Sequence, residues 1–506
     1  MKRKFSLLFP ADIDSEYCVS DASNLDPNLL LEQGIKNLNP NEKAIRAFLR
    51  VLSTPIHSNG ISTHRSEILQ DFYENPALVS KLLAACKTLD CIPPQFQAER
   101  SLTRATAAFG SDARFLTAEK QIILAAATLL QVFQKLAEIR ETLENFPVRS
   151  KLFLDLKTRF SRLFDAPEFQ ELNEVLERII TMPEDYKIDL QFSLNTLGKL
   201  CQYDVLSIEK AELQKAEQKG LFKLFKRNEN GHVASEDKVY RDVEGFCISC
   251  ESHTLRNQVI GGVYEKMSEI FHLMLQGLFS EFCGMSSEFH FYHVALSLLT
   301  FYEKSEIPFC FPEFSEEKTL QINNLYDFAL LSERHGKETV VPNDVILTKD
   351  QHGILISGDN NCGKTVYLRA LATALLFAKN GLPIPASSAT ISPNFNLYSL
   401  FASGEKATSI GTGAGRFEEE VSALSEIVDL LKDGDLLFLN EIFQTTAYDE
   451  GADGLYHILL HLQKRGVRWV AVSHLTKLHT LFSKKNVAFF ITTSPTGETP
   501  YKLIPQ

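Results

Sequence analysis

The sequence predicts an α/β domain at its C-terminal end, preceded by an extended all-α domain. Three observations carry that division. Between about residues 40 and 320, apolar residues recur every third or fourth position, the period of one helix face. From about 321 onward, short apolar runs alternate with glycine-rich turns and helical stretches, the texture of a three-layer α/β unit. Finally, 506 residues exceed the roughly 100–200 that one core usually takes, so more than one unit is expected.

Taken in order, residues 1–44 carry little beyond the strand-like KFSLLF and form an N-terminal extension. Residues 45–320 are expected to make a helical lever or clamp. Within them, 117–146 and 190–219 read as long helices. Leu255, Val259, Val263, Met267, Ile270, Met274, Leu278 and Phe282 form one stripe of a helix of about seven to eight turns. The turn-forming string NENGHVAS at 228–235 marks a hairpin tip near 220–236. In the last part, 321–506, the run 352–357 reads as a strand, followed by a glycine loop and a helix to about Lys379. Further short β-rich runs lie at 436–439, 468–472 and 487–492.

Composition narrows the function classes. With 44% hydrophobic and 23% charged residues, the chain is an ordinary globular one, neither disordered nor collagen-like. The 52 Lys+Arg against 64 Asp+Glu leave −12, which disfavours a general nucleic-acid coat, since such proteins neutralise phosphates with surplus cations. Most of that acidity, −9, lies on residues 1–320, and only −3 on 321–506. No uninterrupted apolar run reaches the eighteen or so residues of a membrane span, so no membrane partner is expected. The start, MKRKFSLLFPADIDSEY, has too brief an apolar run for a signal peptide. Nine cysteines without a dense framework suit reduced thiols and a cytoplasmic location.

The strongest chemical signal is Gly358-Asp359-Asn360-Asn361-Cys362-Gly363-Lys364-Thr365, which fits G-x-x-x-x-G-K-[ST] without a gap. It follows GILIS and opens VYLRALATALLFAK, the strand–loop–helix setting of a phosphate-binding loop. Glycines let backbone N–H groups curl around phosphate oxygens, and the helix N-terminus adds its positive dipole end. Lys364 can reach the β- and γ-phosphates, and the Thr365 hydroxyl can ligate Mg²⁺. ATP and Mg²⁺ are therefore the expected ligands.

Downstream, Leu436-Leu437-Phe438-Leu439-Asn440-Glu441 is an apolar strand ending in a polar pair. In P-loop ATPases the first of the pair is usually an Asp that supports Mg²⁺, and the following Glu can orient the attacking water. Asn440 brings no negative charge, so weaker Mg²⁺ binding or slower turnover is expected, with Glu441 as base. Ser473-His474 follows another strand, and His474 is either a surface or core histidine or a γ-phosphate sensor. Between these lies TSIGTGAGRFEEEV at 408–421. Gly411, Gly413 and Gly415 there permit close approach of a phosphate. The alternative is a flexible loop whose Glu418, Glu419 and Glu420 favour a helix N-terminus.

The order of these pieces resembles the C-terminal ATPase domain of the MutS family, the DNA mismatch-repair ATPases. GDNNCGKTVYLRA is similar to that family's GPNMGGKSTYMRQ, FLNEIFQTTAYDEG to its MDEIGRGTSTYDG, and SHLTKL to its THYFEL. More loosely, 52–86 and 290–313 look like the two ends of its helical lever. The resemblance implies an ABC-like P-loop ATPase domain over 321–506. It implies nucleotide contacts from Gly358 through Thr365 and from Val340, where the family carries its adenine-stacking aromatic. It also implies Mg²⁺ at Thr365 and Asn440, hydrolysis by Glu441, nucleotide sensing by His474, and a homodimer in which the segment around Gly413 and Gly415 completes the partner's site.

The departures qualify those implications. Gly415 replaces the signature serine, Val340 offers only apolar contact, Asn440 replaces Asp, and Cys362 stands where Gly is usual. Only about 44 residues precede the lever, too few for the family's mismatch-reading domain, and Phe72-Tyr73-Glu74 reads as packing. Lys219, Lys223, Lys226 and Arg227, with Phe222 and Phe225 interleaved, belong to a 209–227 segment of net charge +3. That is either a solvated helix end or a DNA contact near the arm tip. Cys247 and Cys250 form a lone C-x-x-C with His253 beyond, in a segment read as helical, and are expected to be packing thiols rather than zinc ligands. The expected function is ATP-driven clamping of helical arms on duplex or branched DNA. The alternative is a slow nucleotide-gated scaffold that clamps a ribosome, RNA or protein.

Overall fold

The computed structural model describes residues 5–10, 27–54, 59–105, 111–181, 186–194, 200–210, 238–242, 245–250, 253–392, 395–401, 413–443, 448–483, 485–495 and 500–506. The chain forms two compact units. One gathers Ala84–Glu141 and Thr158–Cys283; the other gathers Arg3–Leu83, Thr142–Lys157 and Gly284–Gln506. The units are thus not parted at residue 320: helices from both sides of the long arm segment belong with the α/β part.

The second unit is built on a six-stranded sheet. Its order is Leu397–Phe401, Leu436–Asn440, Arg468–Val472, Gly353–Ser357, Val487–Thr492 and Leu503–Pro505. The first five strands run parallel and the last is antiparallel. Parallel strands covered on both faces need continuous apolar runs rather than alternation. GILIS and RWVAV meet that need, with every residue buried. Trp469 lies flat against the strand Gly353–Ser357, so close that a Cβ at Gly353 would sit 2.3 Å from its ring. Helix Lys364–Lys379 covers the sheet with Leu368, Leu371, Ala372, Leu375 and Phe377, all buried. A second, four-stranded sheet pairs Glu313–Phe314, Ser388–Ile391, Leu320–Leu325 and Asn343–Leu347 in that order.

N-terminal helices dock on this α/β core. Arg65, on helix Asn59–Glu74, is buried; its Nε donates to Leu8 O at 3.0 Å and its Nη1 to Asn380 Oδ1 at 2.6 Å. At Gly381 (φ +72°) a Cβ would meet Ser62 O at 2.3 Å, so the two segments approach backbone to backbone. Phe72, fully buried, stacks against Phe289 and meets Tyr292 edge-on, with ring centroids 5.5 and 5.2 Å away. Phe72 therefore packs, as its position within the helices predicts, while Glu74 is exposed.

The first unit contains long helices. Ser111–Asn145 and His253–Phe282 cover the two long helical stretches read from the sequence. Phe133 packs edge-on against Phe169 at 4.9 Å, and Phe160 stacks on Phe282 at 5.8 Å beside an Arg159–Glu281 ion pair of 2.7 Å. Helix 111–145 includes a stretch, Ala118–Asn145, long and apolar enough to cross a membrane; half of its most apolar window is buried within the protein.

Two expectations are corrected in this unit. The all-α description does not hold for the described residues of 186–250, and 190–194 and 200–210 are strands where one long helix over 190–219 is expected. Instead, strands Leu200–Lys210, Tyr186–Leu194, Gly245–Cys250 and Lys238–Asp242 make an antiparallel sheet in that order. The reason is visible in YKIDLQFSL: Ile188, Leu190, Phe192 and Leu194 alternate with polar residues, a period of two that outweighs the helix-forming Glu and Lys further on. Ile188 pairs with Ile208 and Leu190 with Val205, with a bulge between the two pairs. Cys247 and Cys250 accordingly lie on a strand and not on a helix. The proposed hairpin tip at 220–236 and the basic run at 219–227 lie outside the described residues.

Candidate functional site

In a parallel sheet all C-terminal strand ends open on one edge, where ligands of α/β proteins bind. This sheet brings three such ends together. Gly358–Thr365 of the sequence follows the central strand Gly353–Ser357; Asn440 and Glu441 close Leu436–Asn440; Ser473 and His474 follow Arg468–Val472. Residues up to 116 positions apart in the chain thus meet because their strands are parallel.

The glycine loop has the backbone of an anion cradle. Gly358 has φ +137°, Asn361 +62° and Gly363 +87°, so successive N–H groups turn inward before helix Lys364–Lys379 begins. Gly358 is required: a Cβ there would lie 2.2 Å from Thr492 Oγ1. Asp359, Asn360 and Asn361 are exposed on the crown, whereas Cys362 is buried, its Sγ 3.7 Å from Asn360 O. Cys362 thus fills space beneath the loop.

Lys364 is buried and folds back on the loop, donating from Nζ to Gly358 O at 2.9 Å and Asp359 O at 2.7 Å. Burial holds its pKa below the usual lysine value, with Glu441, Cys362 and Asp359 pulling the other way. Nζ also lies 4.0 Å from Glu441 Oε1. His474 Nε2 is within 3.0 Å of that same Glu441 oxygen. Thr365 Oγ1 donates to Asn440 Oδ1 at 3.2 Å. These contacts form two linked sets, Lys364–Glu441–His474 and Thr365–Asn440, at the same edge of the sheet.

Glu441 is held by a bent backbone. It has φ +52° and Phe443 +64°, an unusual pair for non-glycine residues. Glu441 N donates to Val472 O at 3.0 Å, and Phe443 N donates to buried Glu420 Oε2 at 2.8 Å. Glu420 thus acts at the turn behind Glu441, while Phe417 of the same helix packs on Phe443 at 5.3 Å. Gly413 and Gly415 are not in a loop: they belong to the first turn of helix Gly413–Leu430.

The cleft beside the glycine loop, about 710 Å³, runs from the loop to Val340. Asn360 through Thr365 and Glu441 line one part, and the apolar Leu325, Leu330, Val340 and Val341 line the rest together with the polar Asp327, Arg334, Thr339 and Asn343. The sequence reading missed Asn343 and Tyr501 there. Asn343 Nδ2 donates to Tyr501 O at 3.2 Å, and Leu503 N donates to Asn343 Oδ1 at 2.8 Å. No local motif marks either residue, because the bonds span 158 and 160 positions.

The likeness to known proteins centres on this domain. Residues 354–494 match MutS domain V. An "Endonuclease MutS2" of Clostridium botulinum is 30% identical over 167 residues, 32% of this chain and 21% of that protein. A "DNA mismatch repair protein MutS" of Streptococcus suis is 29% identical over 171 residues, 34% of this chain and 20% of that protein. An "Endonuclease MutS2" of Bacillus cytotoxicus is 33% identical over 196 residues, 36% of this chain and 24% of that protein. The chain thus spans between a fifth and a quarter of the length of these curated relatives. The glycine loop, the Asn440–Glu441 strand end and His474 all lie inside the matched segment, so it is the C-terminal domain of this chain that is similar to the MutS family.

Proposed function

We propose that this chain is an ATP-binding, ATP-hydrolysing protein of DNA repair or recombination, in which the nucleotide drives clamping of helical arms. The observation that carries the reading is the meeting of Lys364, Thr365, Asn440, Glu441 and His474 at one edge of one sheet. The loop's N–H groups would hold the phosphates, and Lys364 would exchange the carbonyls of Gly358 and Asp359 for β- and γ-phosphate oxygens. Glu441 would accept a hydrogen bond from the attacking water, and His474 would fix the carboxylate at its other side. Water then adds to the γ-phosphorus as ADP departs, and the proton released passes to Glu441.

Thr365 Oγ1 and Asn440 Oδ1 fit a magnesium ion. Their 3.2 Å separation is close to the roughly 3 Å edge of an octahedron with 2.0–2.1 Å bonds. An ion held by these two residues would supply charge neutralisation to the phosphates. Among the described residues no cluster of three or more His, Cys, Asp or Glu could hold a metal by itself. The remaining ligands would therefore be phosphate and water.

A homodimer through the ATPase faces is part of the reading, with the helix start at Gly413 and Gly415 turned toward the partner's nucleotide. So is a cytoplasmic location, and DNA contact through the segment around Lys219, Lys223, Lys226 and Arg227. The names of the relatives, an endonuclease and a mismatch-repair protein, support nucleic acid as the ligand class.

The deciding experiment measures ATP binding and hydrolysis by the full chain with linear, mismatched and branched DNA and with ribosomes. Lys364→Ala serves as control. DNA should stimulate hydrolysis, and the Lys364 variant should lose it. Tight ATP retention without any DNA response would overturn the DNA reading. It would favour instead a slow scaffold on a ribosome, RNA or protein, which the uncharged Asn440 would suit.

A further inference from the structure

The glycine loop, Glu441 and His474 stand at one edge of the six-stranded sheet, and a second cavity lies at the other. It measures about 480 Å³ and opens where Leu436–Asn440 and Arg468–Val472 begin, beside the strand ends Leu347 and Ile391 of the four-stranded sheet. Leu320, Leu347, Leu375, Ile391, Phe395 and Leu436 give it apolar walls. Small-molecule sites typically have roughly 300–1,000 Å³ and set a few polar groups among such walls. No residue is shared with the cleft beside the glycine loop.

The two cations that line this cavity differ. Lys318 Nζ donates to both carboxylate oxygens of Asp433 at 2.9 Å, and both side chains are more than half exposed, so that charge is already balanced. Arg468 is 7% exposed and has no carboxylate partner among the described residues. Its Nη2 donates to Leu347 O at 3.0 Å and Thr348 O at 3.1 Å. Nε and Nη1 make no bond among the described residues, and neither is sealed from solvent. Asp435 does not compensate. Its carbonyl accepts from Arg468 N, but its carboxylate is taken by Asn396 N and Lys432 N, at 2.8 Å each. Burial accordingly lowers the Arg468 pKa to about 10.

A buried charge is costly unless it is paired, and the cavity beside Arg468 is where a partner can enter. Thr319 and Ser392 line it too, tied together by Ser392 N donating to Thr319 O at 2.8 Å. We propose that this cavity binds a small organic monocarboxylate with an apolar body. The carboxylate would accept from Arg468 and from the hydroxyls of Thr319 and Ser392, and the apolar walls would cover the rest of the molecule. The charge count favours one negative charge over two. Glu316 and Asp433 line the same cavity, so a phosphate dianion would meet about twice the repulsion that a carboxylate meets.

The test applies calorimetry and thermal unfolding to the wild-type full chain with benzoate, octanoate, benzamide, phenyl phosphate and inorganic phosphate. Benzoate and octanoate should bind saturably and raise the Tm. Benzamide, which has the same ring without the charge, and both phosphates should bind at least about tenfold more weakly, the scale of one charged hydrogen bond. Arg468→Lys keeps the charge but loses the planar guanidinium, and should weaken benzoate by about the same factor. Arg468→Met should abolish binding. Because Arg468→Met also removes the bonds to Leu347 O and Thr348 O, Ser392→Trp serves as a second variant. It fills the cavity from a half-buried position with the guanidinium in place, and should abolish binding as well. Lys364→Ala should leave benzoate affinity unchanged, which separates this site from the glycine loop.

No saturable carboxylate binding by the wild type would overturn the proposal. So would benzamide or either phosphate binding as tightly as benzoate. Benzoate affinity unchanged in Arg468→Met or in Ser392→Trp would do so too, and Arg468 would then be only a strut for the Leu347 and Thr348 carbonyls. Loss of benzoate binding in Lys364→Ala would place the ligand in the glycine-loop cleft and overturn it as well.

Discussion

Asn440 sets the charge balance of the site. Its amide oxygen accepts from Thr365 at 3.2 Å, in a spot where a carboxylate would add one full negative charge beside the ion. Coulomb attraction between a cation and a carboxylate at close range far exceeds that of an amide dipole. Asn440→Asp should therefore raise apparent Mg²⁺ affinity by about tenfold or more and increase turnover. ATP hydrolysis titrated with Mg²⁺ checks this, and an unchanged Mg²⁺ curve and rate would refute the account of this position. Glu441 offers a built-in contrast. It already shares one carboxylate oxygen between His474 at 3.0 Å and Lys364 at 4.0 Å. The carboxylate is thus spread over two roles before any ligand arrives. Moving a charge to residue 440 should lessen the demand on Glu441 to balance Lys364, which is why the rate and the metal affinity are expected to move together.

At the scale of elements, helix Lys364–Lys379 connects the loop to the far side of the sheet, and its last residue carries an unusual charge. Lys379 is only partly exposed; its Nζ donates to Phe395 O and lies 5.2 Å over the Phe395 ring. Burial lowers its pKa to about 8, against a smaller upward pull from Asp435. The folded value lies below the unfolded one, so between pH 8 and 10.5 the unfolded chain binds more protons. Stability owed to this group therefore rises with pH across that window. A shift of that size corresponds to about 3 kcal/mol. The stability of wild type relative to Lys379→Met, from urea unfolding at about pH 7, 9 and 10.5, should increase by up to that amount; a flat difference would refute it. Elements also show what a sequence discloses. The glycine loop is legible because its eight residues are contiguous and its flanking strand and helix fix the context. The strands at 186–250 are not, because Glu, Lys and Leu beyond residue 205 mimic a helix while the alternation of Ile188, Leu190 and Phe192 is short. Tyr501 is illegible for a different reason. Its place depends on Asn343, 158 residues away, and on a backbone conformation no propensity predicts.

For the molecule as a whole, the change of texture at residue 321 marks where the strands of the α/β core follow one another in the chain, not where a folding unit begins. The groups that cover the α/β core come from far upstream. Buried Arg65 bonds Asn380, Ser62 donates from its hydroxyl to Lys379 O, and Gly381 lies against the Ser62 carbonyl. Gly34 approaches Phe328 so closely that a Cβ there would lie 2.8 Å from its ring. Downstream of the arm, the buried helix Met285–Lys304 packs against Glu42–Leu52, with Phe48 stacked on Phe291 at 5.3 Å. A fragment of 321–506 would be stripped of all of these partners at once. It would leave Asn380 without its guanidinium and bare the faces of Phe328 and Gly381 that the segments around Gly34 and Ser62 help to close. Native stability is typically only about 5–15 kcal/mol, and taking away one large buried side chain costs about 2–5 kcal/mol. The fragment should therefore not fold cooperatively. Circular dichroism melting of 321–506 should show no sharp transition, whereas the full chain should. Limited proteolysis of the full chain should leave a core in which peptides from 27–83 and 284–304 stay associated with 321–506. A cooperatively melting 321–506 fragment would show that the strands and Lys364–Lys379 suffice, and that the upstream helices are an addition to a domain already complete.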